Sequence, residues 1–251
     1  MDGVTPPARR RALLAVALSW GVLLAAGGIW YSFHGPATAR EQTTIAQAQP
    51  VVDRALENVV RAAGAAAVPA VFGFERVSDC DVTPLRSGAT YERQLCLYTP
   101  PGGEPDLLDR IAAGLPAGYD AQVHASPGGT LRTLTADGGF FVTVTATVPL
   151  PGLVAVKAGT GCRSLGHQPA ADPTTAPGPD PLGVPGAWRL HALPCGLRTA
   201  AVAGPPARPL ADLPHADAVV ATHDVYADRA GLAARVDAGT VTLTSTTGVC
   251  R

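Results

Sequence analysis

Lysine is almost missing from this chain. It occurs once, at Lys157, against 18 arginines, and the formal net charge is −1. With only 16% charged residues there is no basic face to attract a phosphate backbone, so nucleic acid is not an expected partner. The usual catalytic signatures are missing too. No C-x-x-C pair occurs, which removes the commonest zinc and thiol-redox spacings. No G-x-S-x-G or H-E-x-x-H occurs, so a serine elbow and a zinc-protease helix are absent. Gly102-Gly103 and Gly128-Gly129 lack the spaced glycines and lysine of a phosphate loop. No cofactor and no metal site are expected.

Charge is also missing from one long run. Arg9, Arg10 and Arg11 precede 22 uncharged residues, Ala12 to Phe33. As a helix this run spans roughly 33 Å, against about 30 Å for the hydrocarbon core of a bilayer. The three arginines predict an N-terminus held in the cytoplasm. Trp30, Tyr31 and Phe33 sit at the other end, where amphipathic rings favour the headgroup zone. A cleaved signal peptide is the rival, with Ala37-Thr38-Ala39 as the cleavage site. The run exceeds the roughly 7–15 residues of a signal h-region, which favours a retained anchor. Both readings place the rest of the chain outside the cytoplasm. In anchor and composition the chain is similar to small membrane-anchored envelope proteins of high-GC bacteria; no motif extends that likeness.

The five cysteines, Cys80, Cys96, Cys162, Cys195 and Cys250, all follow the anchor, where oxidising conditions favour disulfides. Five is odd, so one is left over. Cys80 and Cys96 flank Gly88 symmetrically, which predicts a bridge across an antiparallel hairpin turning there. Cys162 and Cys195 are the favoured second pair, with Cys250 free or an alternative partner of Cys162.

The expected fold is α+β: an antiparallel sheet with helices packed on one face. The expected segments are a cytoplasmic tail (1–11), the transmembrane helix (12–33), a juxtamembrane stretch (34–49) and an α+β domain (50–165). A Pro-rich linker or surface loop (166–187) and a second half packed on the first (188–251) follow. Val52, Ala55, Leu56, Val59 and Ala63 predict a helix over about 50–64, with Pro50 in its first turn. Glu104-Pro105-Asp106 opens a second helix, closed by Gly114 and Pro116. Pro127-Gly128-Gly129 and Asp137-Gly138-Gly139 predict turns, and Phe140 to Val148 a strand with Phe140 on its buried side. Thr143, Thr145 and Thr147 form its wet face, a possible ledge for a partner strand or glycan. A further helix is expected over 227–236, with Asp224 as its cap. The endings Thr160-Gly161-Cys162-Arg163 and Thr247-Gly248-Val249-Cys250-Arg251 hint at a repeated unit.

His215, Asp217, His223, Asp224 and Asp228 form the richest polar cluster. Imidazole beside carboxylate can relay a proton or hold a metal, which supports an envelope hydrolase as an alternative. Ser164 and His167 are a weaker pair. By elimination, the expected role is a non-enzymatic binding or interaction module in the cell envelope. Its partners would be the bilayer and an envelope protein or wall polymer. Service as an accessory subunit of a larger membrane complex is the third reading.

Overall fold

The structure is a computed structural model that describes residues 7–34, 43–83, 86–126, 131–166, 168–169 and 171–250. For 7–10 and 32–34 the description stops at the helical backbone. Several features named above lie outside the described residues: Ala37-Thr38-Ala39, the turn at 127–129 and His167.

The chain opens with α1 (Pro7–His34), 28 residues long. Its stretch Arg11–Tyr31 is long and apolar enough to cross a membrane, and none of it is buried in the fold. Length and composition suit a membrane anchor and a signal sequence alike.

The second helix, α2 (Ile45–Ala63), begins five residues before the predicted start. A capping box sets that start. The Thr44 hydroxyl accepts from the Gln47 amide N–H, and the Gln47 side chain accepts from the Thr44 N–H. Pro50 therefore sits inside the helix, not in its first turn. Then come β1 (Val68–Thr83), β2 (Arg86–Tyr98), α3 (Glu104–Gly114), β3 (Gln122–Ala125), β4 (Arg132–Gly139), β5 (Val142–Leu150) and β6 (Leu153–Gly159). The second half supplies β7 (Arg189–Ala192), β8 (Arg198–Gly204), β9 (Ala218–Ala221), β10 (Val225–Asp228), β11 (Leu232–Asp237) and β12 (Thr240–Thr247).

These strands form two antiparallel six-stranded sheets. The first runs β1-β2-β6-β5-β4-β3, the second β7-β8-β12-β11-β10-β9. Renumbered from its own first strand, the second sheet has the same order as the first. The fold is thus an α+β layer followed by a second copy of its sheet. The copy lacks α2 and α3: a single 3-10 turn, Leu210–Asp212, stands where the first half has α3.

Both faces of the first sheet are buried. Val52, Leu56 and Val59 of α2, with Leu107 and Ile111 of α3, pack on Leu95, Leu134, Val144 and Val156. The opposite face presents Ala70, Cys96, Tyr98 and Leu153 to Val220, Val225, Ala227 and Ala233 of the second sheet. The outer face of the second sheet would then lie open, and the Pro-rich segment covers it. Leu182, Val184 and Trp188 bury against Val202, Tyr226, Val241 and Leu243. Residues 171–187 therefore pack as a strap on the second sheet. Prolines keep it extended, and it is fastened by hydrogen bonds from Thr175 N–H to the Trp188 carbonyl and from Leu190 N–H to the Pro173 carbonyl.

Buried acids on α2 join the halves. Arg93, 2% exposed, donates to Asp53 at 2.6 Å and to the carbonyl of Ala192 at 3.1 Å. Glu57 accepts from the N–H of Cys195 at 2.6 Å. Asp172 on the strap lies 3.8 Å from Arg93 and bonds His191 at 2.9 Å.

Three sequence expectations need correction. Residues 227–236 are not a helix: β10 and β11 run antiparallel there, with Ala227 opposite Ala233. Alanine is the best helix former, but propensity is a weak force beside tertiary packing, and sheet burial of Ala227, Ala233 and Ala234 overrides it. Next, the turn between β4 and β5 falls at Phe140-Phe141, not at Asp137-Gly138-Gly139, since Gly139 pairs with Val142. Burial of Val142, Val144 and Ala146 against α2 fixes that register, and both phenylalanines are carried out to the tip.

The third correction concerns the cysteines. Cys80 pairs with Cys162, and Cys195 with Cys250; Cys96 is free and buried. The predicted Cys80–Cys96 and Cys162–Cys195 bridges do not form. In the β1–β2 register Cys80 faces Gly88 and Cys96 faces Ala70, so the hairpin turns nearer its predicted Cys80 end than Gly88 and separates the two thiols. Each bridge ties the first hairpin of a half to the chain just beyond that half's last strand. Closing loops of 82 and 55 residues contributes about 4 kcal/mol each in the chain-entropy model.

Two measurements check this architecture. Burial pushes the Cys96 thiol up to about 11, so alkylation of the unreduced protein should modify one cysteine, Cys96, and only in denaturant. A native, unreduced sample modified at any other cysteine would contradict the pairing. Burial also raises the Asp53 carboxyl to about 6, outweighing the nearby Arg93 guanidinium, with Glu57 and Asp172 adding to the rise. The folded state then holds the proton more tightly than the unfolded chain. Stability from this group is complete below about pH 4 and falls as pH rises to about 6. Urea unfolding of wild type relative to Asp53→Asn should show a loss of about 3 kcal/mol across that window.

Candidate functional site

A cleft of about 1030 Å³ opens where the layers part. One wall is the end of α2, with Val60 and Arg61, and the small-residue run Gly64 to Ala67 that follows it. A second is the first turns of α3, with Gly103, Asp106, Leu107 and Arg110. The third comes from the second sheet: Val219, the β10–β11 turn at Arg229-Ala230-Gly231, and the end of β12 into Val249 and Cys250.

Local sequence makes this space. Gly64 stops α2 at φ 61°, its N–H bonding the Val60 carbonyl, and the alanines after it leave the wall shallow. Across the cleft, Gly231 turns at φ 94°, and a Cβ there would lie 2.3 Å from the Thr246 carbonyl oxygen. Only glycine lets that turn lie so close to β12.

The walls are mainly apolar and the rim is cationic. Arg61 pairs with Glu57 at 3.4 Å. Arg110 and Arg229 lie on different walls, exposed, and among the described residues neither guanidinium makes a hydrogen bond or ion pair. Asp106 is the one acid in the lining. The positive end of α3 faces the same space, and no side chain caps it. The lining includes no histidine, lysine or serine, and its cysteine is bridged. This chemistry suits holding a ligand with an apolar body and an anionic group.

A second hollow, about 490 Å³, lies beside the β4–β5 turn and is lined by Gln122, Asp137, Phe141, Thr143 and Arg163, among others. Thr143 of the threonine row reaches it; Thr145 and Thr147 do not line it. Asp137 caps the Gly139 N–H, and Gln122 bonds Asp120.

The histidine–aspartate cluster does not converge on either cavity. His223 bonds its neighbour Asp224 at 2.8 Å with its ring exposed. Asp228 caps its own turn, accepting from the N–H groups of Ala230 and Leu232. Asp224 caps no helix, because none follows it. Among the described residues no group of three or more His, Cys, Asp or Glu is placed to hold a metal. Sequence reasoning missed Arg110 and Arg229, which are 119 positions apart in a chain dotted with arginine.

No family model matches the chain, and no curated protein matches it. Among solved structures it is similar to a DUF4853 family protein from Actinomyces odontolyticus ATCC 17982. The identity is 14%, the match covers 52% of this chain and 73% of that one, and the TM-score is 0.35.

The packing at the β10–β11 turn gives a check. Gly231→Ala should cost about 2 kcal/mol or more in urea unfolding, through steric conflict with β12 and strain at positive φ. Gly64→Ala, open on all sides, should cost about 1 kcal/mol.

Proposed function

We propose that this protein is a single-pass, N-in membrane-anchored binding module of the cell envelope. Its cleft takes an amphipathic ligand bearing an anionic group. The observation that carries the reading is the cleft itself: apolar walls, with Arg110 and Arg229 on different sides and neither guanidinium paired among the described residues. The anchor reading is supported by the helix Arg11–Tyr31, none of it buried in the fold. Arg9, Arg10 and Arg11 orient it, with Trp30 and Tyr31 at the outer headgroup zone. Two disulfides fit an oxidising compartment outside the cytoplasm.

The experiment is native mass spectrometry on the full chain extracted from membranes. We expect a bound acidic amphiphile, with its retention reduced about tenfold or more in Arg110→Ala/Arg229→Ala. Both arginines are exposed, so the thermal midpoint should not move. A cleft empty in both proteins, or a ligand indifferent to both substitutions, would sink the reading.

A further inference from the structure

The tip of the β4–β5 hairpin is built against local preference. Phe140 and Phe141 occupy its two turn positions at φ 50° and 61°. That conformation suits Asn-Gly and strains a bulky side chain. Both rings are also costly to expose, yet Phe140 is 69% and Phe141 51% exposed. Strain and exposed apolar surface coincide in these two residues, most of all in Phe140, and suit the tip to an apolar surface.

Its position says which partner. Arg163 is 1% exposed, and its guanidinium, held by the Thr160 carbonyl at 2.7 Å, reaches two more distant segments. It donates to the Phe140 carbonyl and to the Thr43 hydroxyl. Beside it, Ile45 N–H bonds the Ser164 carbonyl at 3.2 Å, and Leu165 is partly exposed. The Cys80–Cys162 bridge ends at the neighbouring residue. The aromatic tip is therefore fixed beside the residue at which the chain enters the folded domain. Only eight residues, 35–42, separate Thr43 from the end of α1. At most about 3.6 Å per residue, they reach roughly 29 Å. The tip thus stays close to whatever surface α1 crosses.

We infer that Phe140 and Phe141, with Leu165 two residues past the Arg163 that holds the tip, dock the domain onto the outer surface of the lipid bilayer that α1 spans. The inference rests on the anchor reading. Aromatic rings enter the headgroup boundary and recover there the burial they lack in the fold. The rigid Arg163 clamp presents them together, so the domain would lie on the membrane rather than hang from it.

The full chain, reconstituted in vesicles of brominated phosphatidylcholine and phosphatidylglycerol, tests this by tryptophan quenching. Trp20 and Trp30 report the anchor, and the buried Trp188 reports the body of the domain. Phe140→Trp adds a reporter at the tip. We expect its added emission to be quenched by about half or more. If Trp20 and Trp30 are quenched and the added emission is not, the docking is overturned and the anchor stands. Unquenched Trp20 and Trp30 would overturn both. A tip signal that follows protein density and ignores bromination would mean a second copy sits there, which also overturns the proposal. A second reporter, Leu165→Trp, guards against disturbance of the turn. Its quenching should fall by about half when Phe140→Asn and Phe141→Gly are added, while the thermal midpoint rises by several degrees. Unchanged quenching in that variant would overturn the proposal as well.

Discussion

The first sheet has to be covered on both faces, and the rest of the molecule follows from that requirement. Helices α2 and α3 cover one face, and the second sheet covers the other. A sheet used as a cover has an outer face of its own. Two helices close the first half; for the second, a proline-rich strap carrying Leu182, Val184 and Trp188 closes the stack. The cleft opens where this layering ends, between the helix ends and the last strand of the second sheet. It is a consequence of how the layers part, lined by whatever small residues let them part.

The repeated strand order gives the two halves the same skeleton with different coats. The shared features are backbone features: strand order, a bridged first hairpin, and a cysteine shortly after the last strand. The differing features are the helices. Only the first half has α2, and α2 carries Glu57, which accepts from the Cys195 N–H, and Asp53, which holds the Arg93 that donates to the Ala192 carbonyl. Burying those carboxylates is costly. Arg93 and the Cys195 N–H offset the cost, and in doing so they set how the halves meet.

Much of the fold is legible in the sequence where one physical signal dominates. The uncharged run, the stripe of Val52, Leu56 and Val59, and the Val/Thr alternation of β5 each report burial directly. Errors arise where local and distant effects compete. Gly138-Gly139 reads as a turn, yet the register of β5 against α2 moves the turn two residues on. Ala227 to Val236 reads as helix, yet those alanines are small enough to sit between two sheets. The cysteine pairing depends on hairpin register and on the return of β6, neither of which spacing reveals. The Thr44 to Gln47 capping box was readable and marks the true start of α2. Arg110 and Arg229 carried no signal, because a site assembled from two halves of the chain has no local spacing.

Both bridges close within their own half, so no covalent bond joins one half to the other except the chain through the strap. That arrangement sets how the protein would answer a pulling force. Tension between its two ends would meet an 82-residue loop and a 55-residue loop that cannot lengthen. Whatever extension occurs must come from α2 and its approach to β1, and from the strap. The strap is held by packing and hydrogen bonds alone. The molecule would therefore part between its halves under load, each sheet coming away as an intact, cross-linked body.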